Sequence, residues 1–263
     1  MQFKPQAIFI DLDGTLVDAR KKQISEENKN EVIKVNQTIP CFISTGRGLS
    51  EELINTTQEL GLDYGVAQNG AIIYDRSGKI IRKFTIKDST YEQLFKKITK
   101  FKIPFIANSS KIIYSNSLSS KLIPLFKKEY KIEKTKNAQN LTDITKILLL
   151  FSSAKKARKI QKSFSKEFRD LNVLLASNHA IEINDINASK GKANSFICSL
   201  NNIDPLKTVH IGDSMNDSTT AQYMGCLIAM QNSSADLKKI ASEQGEYFKK
   251  AGLAKILRKI ANV

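Results

Sequence analysis

Short apolar runs alternate with amphipathic segments in the first third of the chain. Ala7–Ile10 and Pro40–Ser44 are apolar runs of strand length, and residues 25–37 have the apolar spacing of a helix. A second helix is predicted over Ser50–Leu60, with Gly61 as its stop signal. Strands and helices in this order predict a parallel sheet with helical crossover connections.

The same alternation resumes after Asn187. The predicted elements there are a helix over about 190–201, strands at Thr208–Ile211 and Leu227–Met230, a helix over Ser218–Met224 that Gly225 ends, and two amphipathic helices at the end of the chain. Residues 1–83 and 187–263 are therefore expected to share one sheet.

The middle segment, residues 84–186, has a different pattern. Ser89 and Glu92 form a predicted capping box that opens a helix running to about Lys100. The run Asn108-Ser109-Ser110 separates two short apolar stretches and is typical of a hairpin. Further on, the pattern predicts a helix over 119–130, a polar stretch at 131–143, a strand at 147–151, a basic helix at 153–169 and strands at 173–176 and 180–183. The segment is predicted to form an α/β domain inserted between the two halves of the first sheet.

The composition is ordinary for a globular protein, with 263 residues, 41% hydrophobic and 25% charged. No apolar run is long enough to span a bilayer, and the chain does not begin with a signal-peptide pattern. Cys41, Cys198 and Cys226 lie far apart, which favours free, buried thiols in a reducing compartment. We therefore expect a cytoplasmic protein without a membrane partner.

The net charge is +15, and residues 84–186 contribute +11 of it. Such a basic segment could attract anionic substrates or nucleic acid. However, Lys155, Lys156 and Lys159 lie in a helical pattern that places them on a solvated face, and few aromatic residues interleave with the lysines. A nucleic-acid partner is therefore not expected, whereas steering of an anionic substrate by a few lysines remains an alternative.

Residues 8–16, Ile-Phe-Ile-Asp-Leu-Asp-Gly-Thr-Leu, carry the strongest chemical signal. An apolar strand ends at Asp11 and Asp13, two carboxylates that are costly to desolvate together. An Asx-type turn would explain Asp13 with Gly14 but not Asp11, which still belongs to the apolar run. A bound cation or a chemical role would explain both aspartates.

Thr45 and Asp213 also follow apolar strands directly. The carboxyl ends of parallel strands meet at one rim, where open α/β sheets bind their ligands. If these strands are neighbours, Asp11, Asp13 and Asp213 come together as oxygen ligands that suit Mg²⁺. No group of Cys and His residues has the spacing of a zinc site.

Four motifs follow one another in the chain: Asp11-Leu12-Asp13-Gly14-Thr15, Ile43-Ser44-Thr45-Gly46-Arg47, Ser189-Lys190-Gly191 and the run 211–217. Together they resemble the motifs of the haloacid dehalogenase (HAD) superfamily of phosphotransferases. Asn69-Gly70-Ala71 and Gly252-Leu253-Ala254 resemble details of its Cof-like sugar-phosphate phosphatases. The resemblance implies a Rossmann-like parallel-sheet core of residues 1–83 and 187–263 with helices on both faces. It also implies that residues 84–186 form an inserted α/β cap that sets substrate specificity.

The resemblance assigns a role to each motif residue. Asp11 would be the nucleophile that forms an aspartyl-phosphate, and Asp13 would be the acid and base. The Mg²⁺ ligands would be the Asp11 and Asp213 carboxylates and the Asp13 main-chain carbonyl. The substrate phosphate would be held by Thr45, Gly46, Lys190 and Asn216, and Asp217 would support the metal or the lysine from behind. Lys192 is a second candidate for the lysine, but Gly191 matches the family's Lys-Gly pair and favours Lys190.

Four other polar residues near these motifs have competing interpretations. Asn69 either faces the substrate or belongs to an Asn-Gly turn. Arg47 either contacts the substrate or pairs locally, and local pairing is favoured. His210 is expected in the core of a strand and His179 in a turn, neither with a catalytic role.

The leading hypothesis is a Mg²⁺-dependent phosphatase that hydrolyses phosphomonoesters of small metabolites, with sugar phosphates as the first class. A phosphomutase of the same superfamily is the alternative enzyme. A basic binding or regulatory protein on the same fold is the alternative from another class, and the complete set of motif residues argues against it. The sequence specifies neither the substrate nor an oligomeric state.

Overall fold

A computed structural model describes residues 3–18, 23–116, 130–249 and 251–262. The strands in these ranges are β1 (Ala7–Ile10), β2 (Val17–Asp18), β3 (Gln23–Ile24), β4 (Cys41–Ser44), β5 (Tyr64–Ala67), β6 (Ile72–Asp75), β7 (Ile80–Lys83), β8 (Phe105–Ala107), β9 (Ile112–Tyr114), β10 (Lys131–Glu133), β11 (Ile147–Leu150), β12 (Leu171–Ser177), β13 (Ala180–Asp185), β14 (Thr208–Gly212), β15 (Cys226–Ala229) and β16 (Glu243–Gln244). The helices are α1 (Glu26–Asn36), α2 (Glu51–Glu59), α3 (Asp88–Lys100), α4 (Ala154–Glu167), α5 (Lys190–Leu200), α6 (Ala235–Ile240) and α7 (Gly252–Ala261). Short 3₁₀ helices cover Gln68–Gly70, Thr135–Ala138, Pro205–Lys207 and Asp217–Gln222.

The chain divides into two compact units. Residues up to Arg82 and from Ser189 form what we call the core unit, and Lys83–Ala188 form what we call the insert unit. The boundaries predicted from the sequence, at 83/84 and 186/187, lie one and two residues from these. Across the described ranges, no helix has both the length and the apolar character needed to cross a membrane.

The core unit contains an eight-stranded sheet in the order β16-β15-β14-β1-β4-β5-β6-β7. The strands from β16 to β5 pair in parallel, and β6 turns back antiparallel to β5. The central strand β1 pairs with β14 on one side and with β4 on the other. The predicted parallel sheet is therefore confirmed, and the strands that precede Asp11, Thr45 and Asp213 are neighbours.

Alternate residues of β1 belong to different layers of the core. Ile8 and Ile10 pack in the cluster that holds residues of α1, α2 and α7, whereas Phe9 packs in the cluster that holds residues of α5. Because both faces of β1 are buried, the strand is apolar throughout. Helices cover both faces of the sheet, as the predicted fold class requires.

Serine caps fix where α1, α2 and α5 of the core unit begin. The Ser25 hydroxyl accepts a hydrogen bond from the Asn28 amide at the start of α1, and Ser50 does the same for Leu53 at the start of α2. Ser189 accepts from the Lys192 amide and so starts α5, which has Lys190 as its first residue.

The insert unit contains a six-stranded sheet in the order β10-β9-β8-β11-β13-β12. All its pairs are antiparallel except β9 with β10. Leu94 and Ile98 of α3 and Ile160 and Phe164 of α4 pack with one face of this sheet. The insert unit is thus an α/β layer with its own apolar core.

Two local predictions are wrong. The Ser89–Glu92 capping box does not form, because α3 begins earlier, at Asp88 after Lys87, and has no side-chain cap. The α-helix predicted over Ser218–Met224 is a 3₁₀ helix over Asp217–Gln222. The hydroxyls of Ser218, Thr219 and Thr220 each donate to the carbonyl three residues back, which tightens the turn.

Two segments of the middle part of the chain also differ from the prediction or lie outside the described ranges. The polar stretch 131–143, to which no element was assigned, contains β10 and a 3₁₀ helix. Of the helix predicted over 119–130, all residues but Tyr130 lie outside the described ranges.

Candidate active site

The carboxyl ends of three neighbouring core strands carry the candidate site. Asp11 follows β1, Thr45 follows β4 and Asp213 follows β14. Asp11 is only 5% exposed and Thr45 only 1%. The parallel pairing of these strands brings their ends to one rim, where an open α/β sheet binds ligands.

Three carboxylates form an acidic cluster at this rim. Asp11, Asp213 and Asp217 each have an oxygen within 4.8 Å of the others. Asp13, whose main-chain carbonyl is the ligand that the resemblance implies, does not add its carboxylate to this cluster. Instead, its side chain faces Arg47.

Lys190 joins two of these carboxylates. Its Nζ donates to Asp11 Oδ1 at 2.6 Å and to Asp217 Oδ1 at 2.7 Å, and its side chain is fully buried. The lysine reaches them from the first residue of α5, where the Ser189 cap fixes the start of the helix. Lys190, the candidate favoured over Lys192, is therefore the lysine that contacts Asp11.

Asp217 differs from the other two aspartates because its oxygens are occupied. Oδ1 accepts from Lys190 and from His210 Nε2, and Oδ2 accepts from the main-chain amides of Asp213 and Ser214. Four donors match the four lone-pair sites of a carboxylate. Asp217 therefore supports the site from behind, and Asp11 and Asp213 are the carboxylates suited to hold a cation.

The acidic cluster has more negative than positive charge when its carboxylates are ionised. Burial raises the pKa of Asp11 to about 8, with Asp217 and Asp213 adding to the rise and Lys190 opposing it. Burial raises the pKa of Asp213 to about 7, again with a contribution from Asp217. Burial also disfavours the charge on Asp217, but Lys190 and His210 hold the pKa of Asp217 below its usual range. One lysine does not balance three carboxylates, so a divalent cation would let Asp11 and Asp213 ionise together.

The loop that carries Gly14 passes close to the Asp213 carboxylate. Gly14 has φ +86°, and a Cβ there would lie 2.2 Å from Asp213 Oδ2, so only glycine lets the loop pass this close to the carboxylate. Asn232 Nδ2 donates to the Gly14 carbonyl at 2.9 Å and to Asp213 Oδ2 at 3.2 Å, which ties the loop to the carboxylate. The atoms that could bind a metal ion here are oxygen atoms, the ligand type that Mg²⁺ and Ca²⁺ prefer. These residues fit a hard divalent cation.

Two of the residues expected to hold phosphate, Gly46 and Asn216, lie close to Asn69. Asn216 Nδ2 donates to Asn69 Oδ1 at 2.8 Å. A Cβ on Gly46 would lie 2.9 Å from Asn69 Oδ1 and 3.5 Å from Asn216 Nδ2, so all three residues are in close proximity. The Thr45 hydroxyl accepts from the Arg47 amide at 3.1 Å. Asn69 lies in a short 3₁₀ turn, and its side chain contacts Asn216.

Arg47 pairs with Asp13 through two parallel hydrogen bonds. Nε donates to Oδ2 at 2.8 Å and Nη2 donates to Oδ1 at 2.7 Å, while Nη1 reaches Glu52 Oε1 at 3.2 Å. Asp13 and Glu52 accordingly raise the pKa of the Arg47 guanidinium, although burial opposes them. The Asp13 side chain is 48% exposed, far more than that of Asp11. Arg47 thus makes the local pair that the sequence favoured.

Sequence patterns assign His210 no part in the site, yet its ring contacts Asp217. His210 Nε2 lies 2.7 Å from Asp217 Oδ1 in the buried interior. A signal was available, because residues two apart on a strand share a face. His210 and Gly212 therefore lie on one face of β14, and a Cβ on Gly212 would lie 2.2 Å from Asp217 Cγ. His179, as expected, lies in the turn between β12 and β13 of the insert unit.

Comparison with known proteins agrees with the family resemblance of the four motifs. The family model of haloacid dehalogenase-like hydrolases matches residues 8–257. A protein of Mycoplasma pneumoniae is 30% identical over 257 residues, which cover 90% of each chain. Phosphatase YwpJ of Bacillus subtilis is 24% identical over 269 residues, which cover 89% of this chain and 92% of that one.

Solved structures share the fold. A sugar phosphatase of HAD subclass IIB superposes with a TM-score of 0.81 at 17% identity, covering 98% of this chain and all of that one. The match to the family model extends over nearly the whole chain and includes all four motifs. The chain therefore belongs to the haloacid dehalogenase-like hydrolase family, as a hydrolase of the phosphatase type.

Proposed function

We propose that the protein is a Mg²⁺-dependent phosphatase that hydrolyses phosphomonoesters of small metabolites through an aspartyl-phosphate on Asp11. The contact of Lys190 Nζ with Asp11 Oδ1, inside a buried cluster that also contains Asp213, is the observation that carries the proposal. A lysine in this position neutralises an incoming phosphate and orients the carboxylate that attacks it.

The proposed reaction has two displacements at phosphorus. A carboxylate oxygen of Asp11 attacks the phosphorus, the ester P–O bond breaks, and Asp13 gives a proton to the leaving oxygen. Asp13 then takes a proton from the water that attacks the aspartyl-phosphate. The bond from phosphorus to Asp11 breaks, which releases inorganic phosphate and restores the carboxylate.

The remaining polar groups would hold the phosphoryl group during both steps. Lys190 has three N–H donors, of which Asp11 and Asp217 take two, so one is left for a phosphoryl oxygen. Thr45, the Gly46 amide and Asn216 would bind the other oxygens. Asp11, Asp213 and the Asp13 carbonyl would hold Mg²⁺, which would neutralise charge on the carboxylates and on the phosphoryl group.

Sugar phosphates are the first substrate class to test. The support is the fold shared with a sugar phosphatase of HAD subclass IIB at nearly complete coverage. The insert unit, Lys83–Ala188, would then supply the contacts that distinguish one sugar phosphate from another.

The test compares wild type with Asp11→Asn, since an amide cannot attack phosphorus. We expect wild type to release inorganic phosphate from a panel of phosphorylated sugars only when Mg²⁺ is present. EDTA should abolish the activity, Mg²⁺ should restore it, and Ca²⁺ should restore it poorly, because its looser coordination suits in-line displacement less well. Asp11→Asn should fold and lose at least about 10³-fold in kcat.

Asp63→Asn provides the matched control, because Asp63 is an exposed carboxylate of the core unit that pairs with Arg76. It should keep wild-type kcat. Turnover by a folded Asp11→Asn protein would refute the covalent mechanism, and an isomeric sugar phosphate in place of inorganic phosphate would identify a phosphomutase.

A further inference from the structure

His210 is a fully buried ionisable side chain in β14 for which the proposed reaction has no use. Its ring makes two polar contacts, one from each nitrogen. Nε2 lies 2.7 Å from Asp217 Oδ1, and Nδ1 lies 3.2 Å from Nδ2 of Asn194 in α5. Both partners are themselves buried.

The two contacts define where the ring carries its proton. The Asn194 amide turns Nδ2 toward the ring, which leaves Asn194 Oδ1 buried without a hydrogen-bond partner among the described residues. Because an amide nitrogen only donates, His210 Nδ1 accepts in this orientation. A carboxylate such as Asp217 accepts, so Nε2 must carry the hydrogen. The ring is therefore neutral, with its proton on Nε2. Burial agrees with this assignment, because it lowers the pKa of His210 despite the nearby Asp217.

One residue, Asp217, connects the His210 ring to Lys190. Oδ1 of Asp217 accepts from both His210 Nε2 and Lys190 Nζ, while Oδ2 is held by two main-chain amides. Lys190 Nζ in turn donates to Asp11 Oδ1. A continuous chain of hydrogen bonds thus leads from Asn194 through His210, Asp217 and Lys190 to the proposed nucleophile.

No neighbouring side chain on the strand could replace the ring. The next residue of β14 on the same face is Gly212, where even a Cβ would lie 2.2 Å from Asp217 Cγ. Without the imidazole, Asp217 Oδ1 would keep Lys190 as its only side-chain donor among the described residues. An under-satisfied buried carboxylate oxygen draws its remaining donor closer, and here that donor is Lys190.

We propose that His210 is a positioning residue, whose Nε2–H holds Asp217 in the orientation that directs Lys190 onto Asp11. The catalytic consequence rests on the proposed phosphatase function, whereas the hydrogen-bond assignment does not. His210 would not touch the substrate, so its loss should reduce kcat more than it changes KM.

The kinetic test compares His210→Gln with His210→Met. The side-chain nitrogen of glutamine can donate from nearly the place of Nε2, whereas methionine has similar length and no donor. We expect His210→Met to lose about 10- to 100-fold in kcat with little change in KM, and His210→Gln to stay within about 3-fold of wild type. Cys198→Ala is the matched control, because Cys198 is buried one turn after Asn194 in α5 and packs in the apolar cluster with Phe9 and Met224. It should lose stability but not kcat.

A spectroscopic test needs neither substrate nor turnover. Long-range ¹H–¹⁵N spectra of the wild type should show His210 as a neutral ring protonated on Nε2. The side-chain ammonium signal of Lys190, assigned by its absence in Lys190→Met, should shift in His210→Met and stay in place in His210→Gln.

The two tests separate this inference from the proposed function. If wild type hydrolyses no phosphomonoester, the proposed function fails, and the spectra alone decide the role of His210. A doubly protonated ring, a ring protonated on Nδ1, or equal kcat losses in the Gln and Met variants would each overturn the positioning role. A Lys190 signal that shifts equally in both variants would overturn it as well.

Discussion

Asp13 is the residue whose observed contacts fit its proposed role least directly. Both of its carboxylate oxygens accept hydrogen bonds from the Arg47 guanidinium. A carboxylate paired in this way has no proton to give to a leaving group. The proposed reaction therefore requires that the Arg47–Asp13 pair open when substrate binds, and the half-exposed position of Asp13 leaves room for that movement.

Asp13→Asn tests whether Asp13 transfers the protons. We expect hydrolysis of alkyl phosphomonoesters to fall by about 10²- to 10⁴-fold. With p-nitrophenyl phosphate, whose leaving group needs little protonation, the first displacement should survive and the second should not. Rapid mixing should therefore record a burst of nitrophenolate close to one equivalent per enzyme.

Glu52→Gln is the control for this variant, because it alters the other partner of Arg47 and leaves Asp13 in place. It should hydrolyse both esters at nearly the wild-type rate. Undiminished turnover of an alkyl ester by Asp13→Asn would remove Asp13 from the mechanism.

Sequence patterns reveal residues of this site when the polar side chain lies at the end of a strand. Asp11, Thr45 and Asp213 could be brought together from the sequence, because parallel strands that end in polar residues place them at one rim. For His210, the spacing along β14 gives only the face of the strand, because its contact with Asp217 is a hydrogen bond across a packed interior. The pairing of Asp13 with Arg47 was not predictable either, since nothing in the spacing of the two residues fixes a paired geometry.

At the scale of elements, a short turn supports the start of the helix that carries Lys190. Gln68, Asn69 and Gly70 all have positive φ, at 49°, 57° and 101°. A Cβ on Gly70 would lie 2.3 Å from the main-chain oxygen of Ser189, the N-cap of α5. The turn therefore packs directly against the backbone that sets the position of Lys190.

Gly70→Ala tests this support. The new methyl group must push the turn away from Ser189 and also adopt a left-handed conformation, at a combined cost of about 2–4 kcal/mol in the free energy of unfolding. Because the N-cap of α5 moves, kcat should fall as well. Chemical denaturation and steady-state kinetics measure the two effects.

Gly61→Ala isolates the backbone contribution. Gly61 also has positive φ, at +70°, but a Cβ there would lie at an ordinary contact distance of 3.8 Å from Asn36 Nδ2. This variant should lose about 1–2 kcal/mol of stability and keep its kcat. Equal losses of kcat in both variants would show that the contact with Ser189 has no special effect on the site.

Element boundaries were predictable where a side chain caps its own helix. Ser25 and Ser50 precede helical patterns, and both cap the helices that follow. The capping box at Ser89 was wrong because the helix starts before it, without any side-chain cap. The α-helix expected after Asn216 was wrong because three hydroxyls in a row donate to nearby carbonyls, a competition that apolar periodicity does not record.

At the scale of the whole molecule, the basic charge is concentrated in the insert unit. Lys155, Lys156 and Lys159 are all exposed on α4, whose buried residues are Ala157, Ile160 and Phe164. Water and salt screen the charge of solvated lysines on such a face. These lysines therefore contribute little to the electrostatic potential at a distant site.

The triple variant Lys155→Glu, Lys156→Glu and Lys159→Glu measures the influence of this helix on substrate capture. We expect kcat/KM to stay within about 3-fold of wild type across ionic strengths, because screening limits the reach of surface charge to about 8 Å at physiological salt. A large loss confined to kcat/KM, and relieved by added salt, would instead show that α4 steers the substrate.

The three cysteines make the stability of the protein sensitive to alkali. All three are buried, and burial raises the pKa of Cys41 to about 12, of Cys198 to about 12 and of Cys226 to about 11. A group whose folded-state pKa is raised binds more protons in the folded than in the unfolded state. Stability should therefore be complete below about pH 9 and fall as the pH rises toward 12.

Urea unfolding between pH 8 and 11 measures this loss, and Cys41→Ala should make it less steep. Cys41→Ala is the informative variant because the burial of that thiol is nearly complete. The native protein should also react slowly with a thiol reagent at neutral pH, whereas the unfolded protein reacts at once. Rapid modification of the folded protein would contradict the buried assignment.

The discontinuity of the core unit has a consequence for biosynthesis. The central strand β1 pairs with β4, made early, and with β14, made about two hundred residues later. A ribosome that has produced the first half of the core therefore holds a nascent chain whose β1 has one edge without its final partner. Lys190, Asp213 and Asp217 also arrive only with the second half, so a prematurely terminated chain would contain Asp11 without these three side chains. Until synthesis passes β14, this open edge offers its unpaired backbone to other strands, which makes the interval the period of greatest exposure to misassembly.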